Sequence, residues 1–319
     1  MRLSAKTLER LFKGAICFKE ERGWLTPYRY SRKQLDFMED KEYDWGWRMR
    51  AKFTGPVRIE LKTDATRIAF DYQASHEHER ANTIDLYVNG ELTAVHKIGK
   101  ELKGSVDFSL PEGNKKVVVY MPCESEIKLK GFEINGSYKS VKEKGKRLLI
   151  FGDSITQGAG PDFASGAYAN ELQRLTGYNI VAQGIGGYRF EPRDLTRVEG
   201  FEPDMLLVFL GTNYYETECE KRGYDYARAT KEYFEKLTSL YPSIPIYAIT
   251  PLFRTNAYEW ERFLWCIETI KNECTRHEKI TVIDGFSIMP CVEECLADGV
   301  HPNAYGAKIL AENLAKIIK

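Results

Sequence analysis

The spacing of hydrophobic residues divides the chain into two parts. From about residue 24 to residue 138, short segments alternate apolar and polar residues, as residues 57–62 and 67–72 do. A period of two is typical of strands with one buried face. Turn residues such as Asn89 and Gly90 separate these segments. We therefore predict an antiparallel β-sandwich of jelly-roll-like type in residues 1–140.

After residue 146, apolar strands alternate with amphipathic helices. The predicted strands are residues 148–151, 179–182, 205–210, 246–249 and 280–284. The predicted helices are residues 167–175, 226–241, 257–276 and 304–318. Because apolar strands joined by helices form parallel sheets covered on both faces, we predict an α/β domain in residues 146–319. Its sheet should be flavodoxin-like and doubly wound, with five parallel strands. The charged segment 139–147 lies at the boundary.

Composition excludes several functions. The 319 residues, 43% of them hydrophobic, suit two packed domains. Basic and acidic residues both number 46, so no net field favours nucleic acid. No apolar run is long enough to span a bilayer, and the N-terminus lacks the apolar core of a secretory signal. Seven cysteines, an odd number, fit reduced thiols, so we predict a cytoplasmic protein. From the balanced charge and the lack of a spanning apolar run, we expect it to bind neither nucleic acid nor membrane.

Four loops carry the candidate chemistry. Residues 152–156 follow the first predicted strand, residues 184–187 the second and residues 211–213 the third. Residues 298–302 precede the final predicted helix. In doubly wound sheets, ligands bind beyond the carboxyl ends of the strands. We therefore expect these loops to converge on one site.

Ser154, His301 and Asp298 are the candidate catalytic residues. Ser154 follows a strand, a position that exposes a hydroxyl near a helix N-terminus. Asp298 precedes His301 by three residues, so one loop can present the carboxylate to the imidazole. The other imidazole nitrogen would then take the serine proton. A helix-capping role is the ordinary alternative for Ser154, and the motif is not a Gly-x-Ser-x-Gly elbow.

Three donors are predicted for an oxyanion hole. They are the backbone N–H groups of Ser154 and Gly187 and the carboxamide of Asn213. Turn or cap roles are the alternatives for Gly187 and Asn213. A dinucleotide site is excluded because Arg189 occupies the third glycine position of that motif. We expect no cofactor and no metal, with a metal pair at His76 and His78 as the alternative.

These motifs resemble the SGNH, or GDSL-like, hydrolase family. The segment from Gly152 to Thr156 resembles its first block, and Gly187 and Asn213 match the second and third. Asp298-x-x-His301-Pro matches the last block. The chain departs from the family pattern after Asn213, where Tyr214 and Tyr215 stand in place of the frequent aspartate. The first half is similar to the β-sandwich that precedes the hydrolase domain in some bacterial carbohydrate acetylesterases.

Together the residues and the resemblance predict a serine esterase with an SGNH hydrolase fold. We expect it to remove short acyl groups, above all acetyl, from oligosaccharides or small esters. Asp153, Tyr188, Tyr214 and Trp260 are the predicted substrate contacts, since loop aromatics can stack on sugar rings. A thioesterase, lysophospholipase or acyltransferase with the same triad stays open. So do a carbohydrate-binding protein with a relic site, and assembly into a homo-oligomer.

Overall fold

The computed structural model describes residues 1–40 and 43–319. Its strands, in chain order, are β1 (Phe12–Lys13), β2 (Cys17–Glu21), β3 (Trp24–Tyr28), β4 (Arg58–Thr63), β5 (Arg67–Ala74), β6 (Thr83–Val88), β7 (Glu91–Lys97), β8 (Lys103–Ser109), β9 (Lys115–Tyr120), β10 (Ile127–Ile134), β11 (Tyr138–Ser140), β12 (Arg147–Gly152), β13 (Asn179–Gly184), β14 (Met205–Phe209), β15 (Ile246–Ile249) and β16 (Ile280–Ile283). Its α-helices are α1 (Ala5–Glu9), α2 (Arg32–Met38), α3 (Trp45–Ala51), α4 (Ser154–Gln157), α5 (Tyr168–Thr176), α6 (Thr217–Lys221), α7 (Tyr226–Leu240), α8 (Trp260–Cys274), α9 (Gly285–Ile288) and α10 (Ala304–Ile317).

Two antiparallel sheets form the N-terminal sandwich. In the described residues, one sheet has the order β1-β4-β9-β6-β7, with β11 paired to β4, and the other the order β2-β3-β10-β5-β8. Alternate residues of both sheets point inward, and Ile59, Val119, Ile68 and Leu129 meet in a shared buried core. The predicted sandwich is therefore confirmed. Strands such as β5 and β8 were recognisable because only one of their faces is buried, whereas β6 is buried throughout.

The C-terminal part contains a parallel sheet with the order β13-β12-β14-β15-β16. The first strand along the chain, β12, thus pairs on either side with the next two, β13 and β14. Helices α5 and α10 pack on one face around Leu172 and Leu310, and α7 and α8 pack on the other around Phe234 and Phe263. This arrangement confirms the flavodoxin-like fold, and it brings the ends of β12, β13 and β14 side by side.

The prediction of a helix over residues 257–276 is wrong at its start. Helix α8 begins only at Trp260, because the preceding residues have other partners. The Asn256 carboxamide oxygen accepts from the Arg254 guanidinium at 2.9 Å and 2.7 Å. The Glu259 carboxylate accepts from the backbone N–H of Thr217 at 3.1 Å. These bonds hold residues 253–259 as a loop.

The segment of residues 29–40 and 43–53 joins the two halves of the molecule. Within this segment, α2 and α3 were not predicted, and their residues Leu35 and Trp47 belong to the same buried cluster as Leu149 of the parallel sheet. The Arg29 guanidinium is fully buried and donates to the Ala182 carbonyl of β13 at 3.0 Å. We retain residues 1–140 and 146–319 as the proposed domains, with this segment bridging them.

None of the helices formed by residues 1–40 and 43–319 combines the length and apolarity needed to cross a bilayer.

Candidate active site

Ser154 is the first residue of helix α4, which follows strand β12 after a tight turn. The Asp153 side chain caps this short helix, accepting from the Ile155 N–H at 3.0 Å. Gly152 lacks room for a side chain, because a Cβ there would overlap the Thr156 side chain. The tight turn places the serine hydroxyl at the carboxyl end of the sheet, where the neighbouring strands also end.

The structure brings Ser154, His301 and Asp298 together. The Nε2 atom of His301 lies 2.7 Å from the Ser154 Oγ, and its Nδ1 atom lies 2.7 Å from Asp298 Oδ2. A carboxylate can only accept, so the Nδ1 atom carries the proton and Nε2 is free to accept from the serine hydroxyl. This is the arrangement that a general base needs next to a nucleophile.

The loop of residues 298–301 holds the Asp298 carboxylate in place. Its Oδ1 atom accepts from the backbone N–H groups of Val300 at 3.1 Å and His301 at 2.9 Å. Partial burial acts to raise the pKa of Asp298, but the hydrogen bonds from the His301 ring and backbone outweigh it and hold the pKa below its usual range. The carboxylate therefore stays ionised at neutral pH, as an orienting partner for an imidazole must.

The predicted oxyanion donors also lie at this edge of the sheet. Among the described residues, the N–H groups of Ser154 and Gly187 donate no intramolecular hydrogen bond. Gly187 has a φ of 73°, in the left-handed region that favours glycine. The Asn213 Nδ2 atom donates to the Tyr188 carbonyl at 3.0 Å and lies 3.5 Å from Asp153 Oδ2. The two free amides and this carboxamide are the groups that an oxyanion hole requires.

The loop of Gly186 and Gly187 is contacted by residues that sequence reasoning missed. The Gly186 N–H donates to Gln157 Oε1 at 2.8 Å, and Gln157 Nε2 donates to Glu124 Oε2 at 2.8 Å. Trp47 Nε1 donates to the Gly187 carbonyl at 3.1 Å. Glu124 and Trp47 come from the N-terminal half, far from the catalytic motifs in sequence. No local pattern distinguishes them, although Gln157 follows Ser154 by one helical turn.

Two of the predicted substrate contacts need correction. Asp153 is only 1% exposed and caps helix α4, and burial raises its pKa to about 7 against the effect of the Ile155 N–H and the His301 charge. Tyr188 is 8% exposed, its ring packs against Trp47, and its hydroxyl donates to Asp194 at 2.5 Å. Neither side chain offers a free surface for a sugar ring.

Tyr214 lines a cavity of about 620 Å³. Phe37, Tyr43 and Trp47 line it too, together with acidic and basic side chains. The Arg189 guanidinium lies 4.8 Å from the centre of the Tyr214 ring and 5.2 Å from that of Trp47. Trp47 also bonds Gly187, so one wall residue of the cavity contacts the loop of Gly186 and Gly187, the candidate oxyanion loop.

Trp260 lies at the start of helix α8, where its ring stacks on Phe286. It does not line the cavity beside Tyr214. Its predicted role in substrate binding stays a prediction.

The alternative of a metal pair at His76 and His78 has no support from their surroundings. The His76 ring packs on Phe53, and its Nδ1 atom contacts Ser75 Oγ at 3.0 Å. The His78 Nδ1 atom contacts the Arg80 carbonyl at 2.9 Å. In the part of the chain that the structure describes, no cluster of three or more His, Cys, Asp or Glu side chains could hold a metal ion.

Residues 150–309 match the sequence model of the GDSL-like lipase/acylhydrolase family. The match includes all four loops that meet at the site. No curated protein sequence matches the chain at a significant level.

Several solved structures are similar over both halves of the chain. A protein from Bacteroides ovatus designated a GDSL-like lipase is 18% identical, with a TM-score of 0.78 over 100% of this chain and 96% of that chain. A salicylyl-acyltransferase from a tetracycline biosynthetic pathway is 19% identical, with a TM-score of 0.72 over 95% and 92%. A family two carbohydrate esterase from Clostridium thermocellum, in complex with cellohexaose, is 15% identical, with a TM-score of 0.68 over 97% and 98%. At these identities the likeness establishes a shared fold.

Proposed function

The chain belongs to the GDSL-like lipase/acylhydrolase family, and we propose that it is a serine esterase that removes acetyl groups from oligosaccharides. The observation that carries this proposal is the continuous chain of contacts from Ser154 through His301 to Asp298, with 2.7 Å at each step. The free N–H groups beside the serine supply the second requirement of acyl transfer, a place for the oxyanion. A site that had lost its activity would not be expected to keep both the triad contacts and the free N–H groups.

The proposed reaction starts with proton transfer from the Ser154 hydroxyl to His301 Nε2. The serine Oγ bonds to the acyl carbon, and the carbonyl oxygen becomes an oxyanion held by the N–H groups of Ser154 and Gly187 and by Asn213. The intermediate then expels the sugar alkoxide, which takes the proton from the imidazole. Water, deprotonated by His301, attacks the acyl-enzyme and releases the acid.

The cavity beside the oxyanion loop supports a sugar as the alcohol part of the substrate. Its aromatic rings offer apolar faces for stacking, and its Arg, Asp and Glu side chains can bond hydroxyl groups. The similar carbohydrate esterase from Clostridium thermocellum is solved in complex with cellohexaose, which favours a glycan over a lipid. We propose that the acyl group is short and that the sugar occupies the cavity lined by Trp47 and Tyr214.

The test is a panel of esters that share an alcohol or share an acyl group. Acetate release from acetylated oligosaccharides is compared with hydrolysis of butyryl, octanoyl and thioester substrates by the same enzyme. We expect the highest kcat/KM for acetylated sugars. A preference for octanoyl or longer chains contradicts the acetylesterase proposal and favours a lysophospholipase.

Acyl transfer to an acceptor other than water is the second candidate. It is favoured by the similar salicylyl-acyltransferase. The acyl-enzyme would then be attacked by an alcohol bound in the cavity lined by Trp47 and Tyr214. Adding sugar acceptors to the assay separates the two, because transfer yields a new ester while the amount of free acid falls.

Two further predictions concern the location of the protein and its assembly. We propose a cytoplasmic location because an odd number of cysteines fits reduced thiols. Assembly into a homo-oligomer stays open.

A further inference from the structure

The buried carboxyl of Glu124 connects the sandwich to the oxyanion loop. Glu124 lies in the turn between β9 and β10 and is only 8% exposed. It accepts from Gln157 Nε2 at 2.8 Å, and Gln157 Oε1 accepts from the Gly186 N–H at 2.8 Å. A single side-chain amide on the nucleophile helix therefore links a sandwich residue to the loop that carries Gly187.

The carboxyl determines which way the Gln157 amide faces. Burial raises the pKa of Glu124. Its Oε2 atom accepts from the NH₂ end of the amide, and the carbonyl end accepts from the Gly186 N–H. With the amide reversed, its NH₂ group would meet the Gly186 N–H, donor against donor, and its oxygen would meet the carboxyl oxygen that now accepts. Glu124 thus fixes the one orientation in which Gln157 can hold Gly186.

Trp47 secures the loop from the next residue. Its Nε1 donates to the Gly187 carbonyl at 3.1 Å, and Trp47 itself is buried against Tyr188. The peptide that carries the Gly187 N–H also contains the Gly186 carbonyl, which accepts from Arg50 Nη1 at 3.4 Å. The peptides before and after it are held by the bonds of the Gly186 N–H and the Gly187 carbonyl. The N–H of Gly187, which bonds nothing else in the described residues, then has a fixed direction.

We propose that Glu124, acting through Gln157, is a positioning residue for the oxyanion hole, so that a residue of the N-terminal sandwich affects the kcat of hydrolysis. The inference rests on the proposed esterase function. An oxyanion donor acts only if it is held at hydrogen-bond distance from the developing charge, and a misplacement of about 1 Å can cost on the order of 100-fold in rate. The role explains why a sandwich residue reaches so far into the catalytic half.

The experiment compares kcat and KM of Glu124→Ala, Glu124→Gln and Gln157→Ala with those of the wild type, using 4-nitrophenyl acetate. The rate of Ser154 labelling by a fluorophosphonate is measured in parallel. We expect Glu124→Ala to lose about 10- to 100-fold in kcat with little change in KM, because the oxyanion exists only in the transition state. Glu124→Gln keeps an acceptor oxygen and should recover most of the rate. The double variant, Glu124→Ala with Gln157→Ala, should have a kcat no lower than that of the slower single variant, because both substitutions break the same chain of hydrogen bonds.

Asp85→Ala is the matched control. Asp85 is also a fully buried carboxyl of the sandwich, and it also reaches the catalytic half, accepting from the Ser165 N–H at 2.7 Å. It has no bond to the oxyanion loop. We expect it to lower the thermal stability while leaving the kcat of the folded protein unchanged. All rates are therefore measured well below each variant's Tm.

Three results would overturn the proposal. They are a wild-type kcat for folded Glu124→Ala, a failure of Glu124→Gln to restore the rate, and additive losses in the double variant. If Glu124→Ala does not fold, Gln157→Ala decides alone, because it cuts the same chain of bonds. The labelling rate does not depend on the natural substrate. A protein that labels quickly but releases no acetate from sugars contradicts the proposed substrate, and the comparison of labelling rates still tests Glu124.

Discussion

The Nε2 atom of His301 lies 2.7 Å from the Oγ of Ser154, although the two residues are 147 positions apart in the chain. The contact depends on close packing between the loop after α4 and the loop before α10. Gly160, with a φ of 115°, makes this approach possible, because a Cβ there would overlap the Pro302 carbonyl and lie 3.0 Å from the His301 Cβ. The length of this hydrogen bond therefore depends on how closely the two loops pack.

Substituting Gly160 by Ala tests this fit. The added methyl group must push Pro302 and His301 away, and the left-handed φ adds backbone strain. We expect Gly160→Ala to lose on the order of 100-fold in kcat. Gly177→Ala is the control, because Gly177 also has a positive φ but a Cβ there meets nothing within 4 Å. If Gly160→Ala keeps full activity, the packing argument is wrong.

Substituting Asp298 by Asn should disable the imidazole without removing it. The carboxamide can turn its NH₂ group toward Nδ1, which stabilises the tautomer whose Nε2 carries the proton. By analogy with other triads, kcat should fall by about 10⁴-fold. The pre-steady-state release of 4-nitrophenol measures the acylation step directly. A loss of less than about tenfold would mean that Asp298 does not orient His301.

Substituting Asn213 by Ala removes one oxyanion donor. We expect kcat to fall by roughly 100- to 1,000-fold while KM changes little, since the donor acts on the transition state. Asn135→Ala is a suitable control, because Asn135 bonds only residues of the sandwich around Thr66. A change confined to KM would instead assign Asn213 to ground-state binding.

The buried Asp153 should make stability depend on pH. Burial raises its pKa to about 7, above the ordinary value that it regains on unfolding. Between these values the folded protein holds the proton more tightly than the unfolded chain does, so stability falls as pH rises. Asp153→Asn keeps the helix cap and removes this effect. Its stability relative to the wild type should therefore increase from pH 4 to pH 7, by on the order of 3 kcal/mol. Urea unfolding of both proteins at several pH values measures this, and a constant difference would contradict it.

The sequence predicts the fold well where burial follows a regular period. Strands β5 and β8 alternate because they have one buried face, and β14 is apolar throughout because helices cover both faces of its sheet. The positions of Ser154, Gly187, Asn213 and His301 could be predicted from the sequence for a related reason. Each follows or precedes a regular element, and the topology sends all of these ends to one edge.

The sequence does not reveal contacts that depend on how the halves pack. Trp47 lies in the short helix α3 and Glu124 in the turn between β9 and β10, and nothing in the sequence around them marks them as partners of residues 157 and 187. Tyr188 was misassigned for the opposite reason. Its place in a loop suggested a ring free to stack on a sugar, whereas its hydroxyl is bonded to Asp194 and its ring packs against Trp47.

The central claim is that Ser154 is the nucleophile that removes acetyl groups from sugars. The most direct test is acetate release from a set of acetylated oligosaccharides by the wild type and by Ser154→Ala, with mass spectrometry of the wild-type protein during turnover. We expect rapid release by the wild type, a 42-Da adduct on the peptide that contains Ser154, and a loss of about a million-fold in kcat for Ser154→Ala. Acetate release by Ser154→Ala at the wild-type rate would contradict the account.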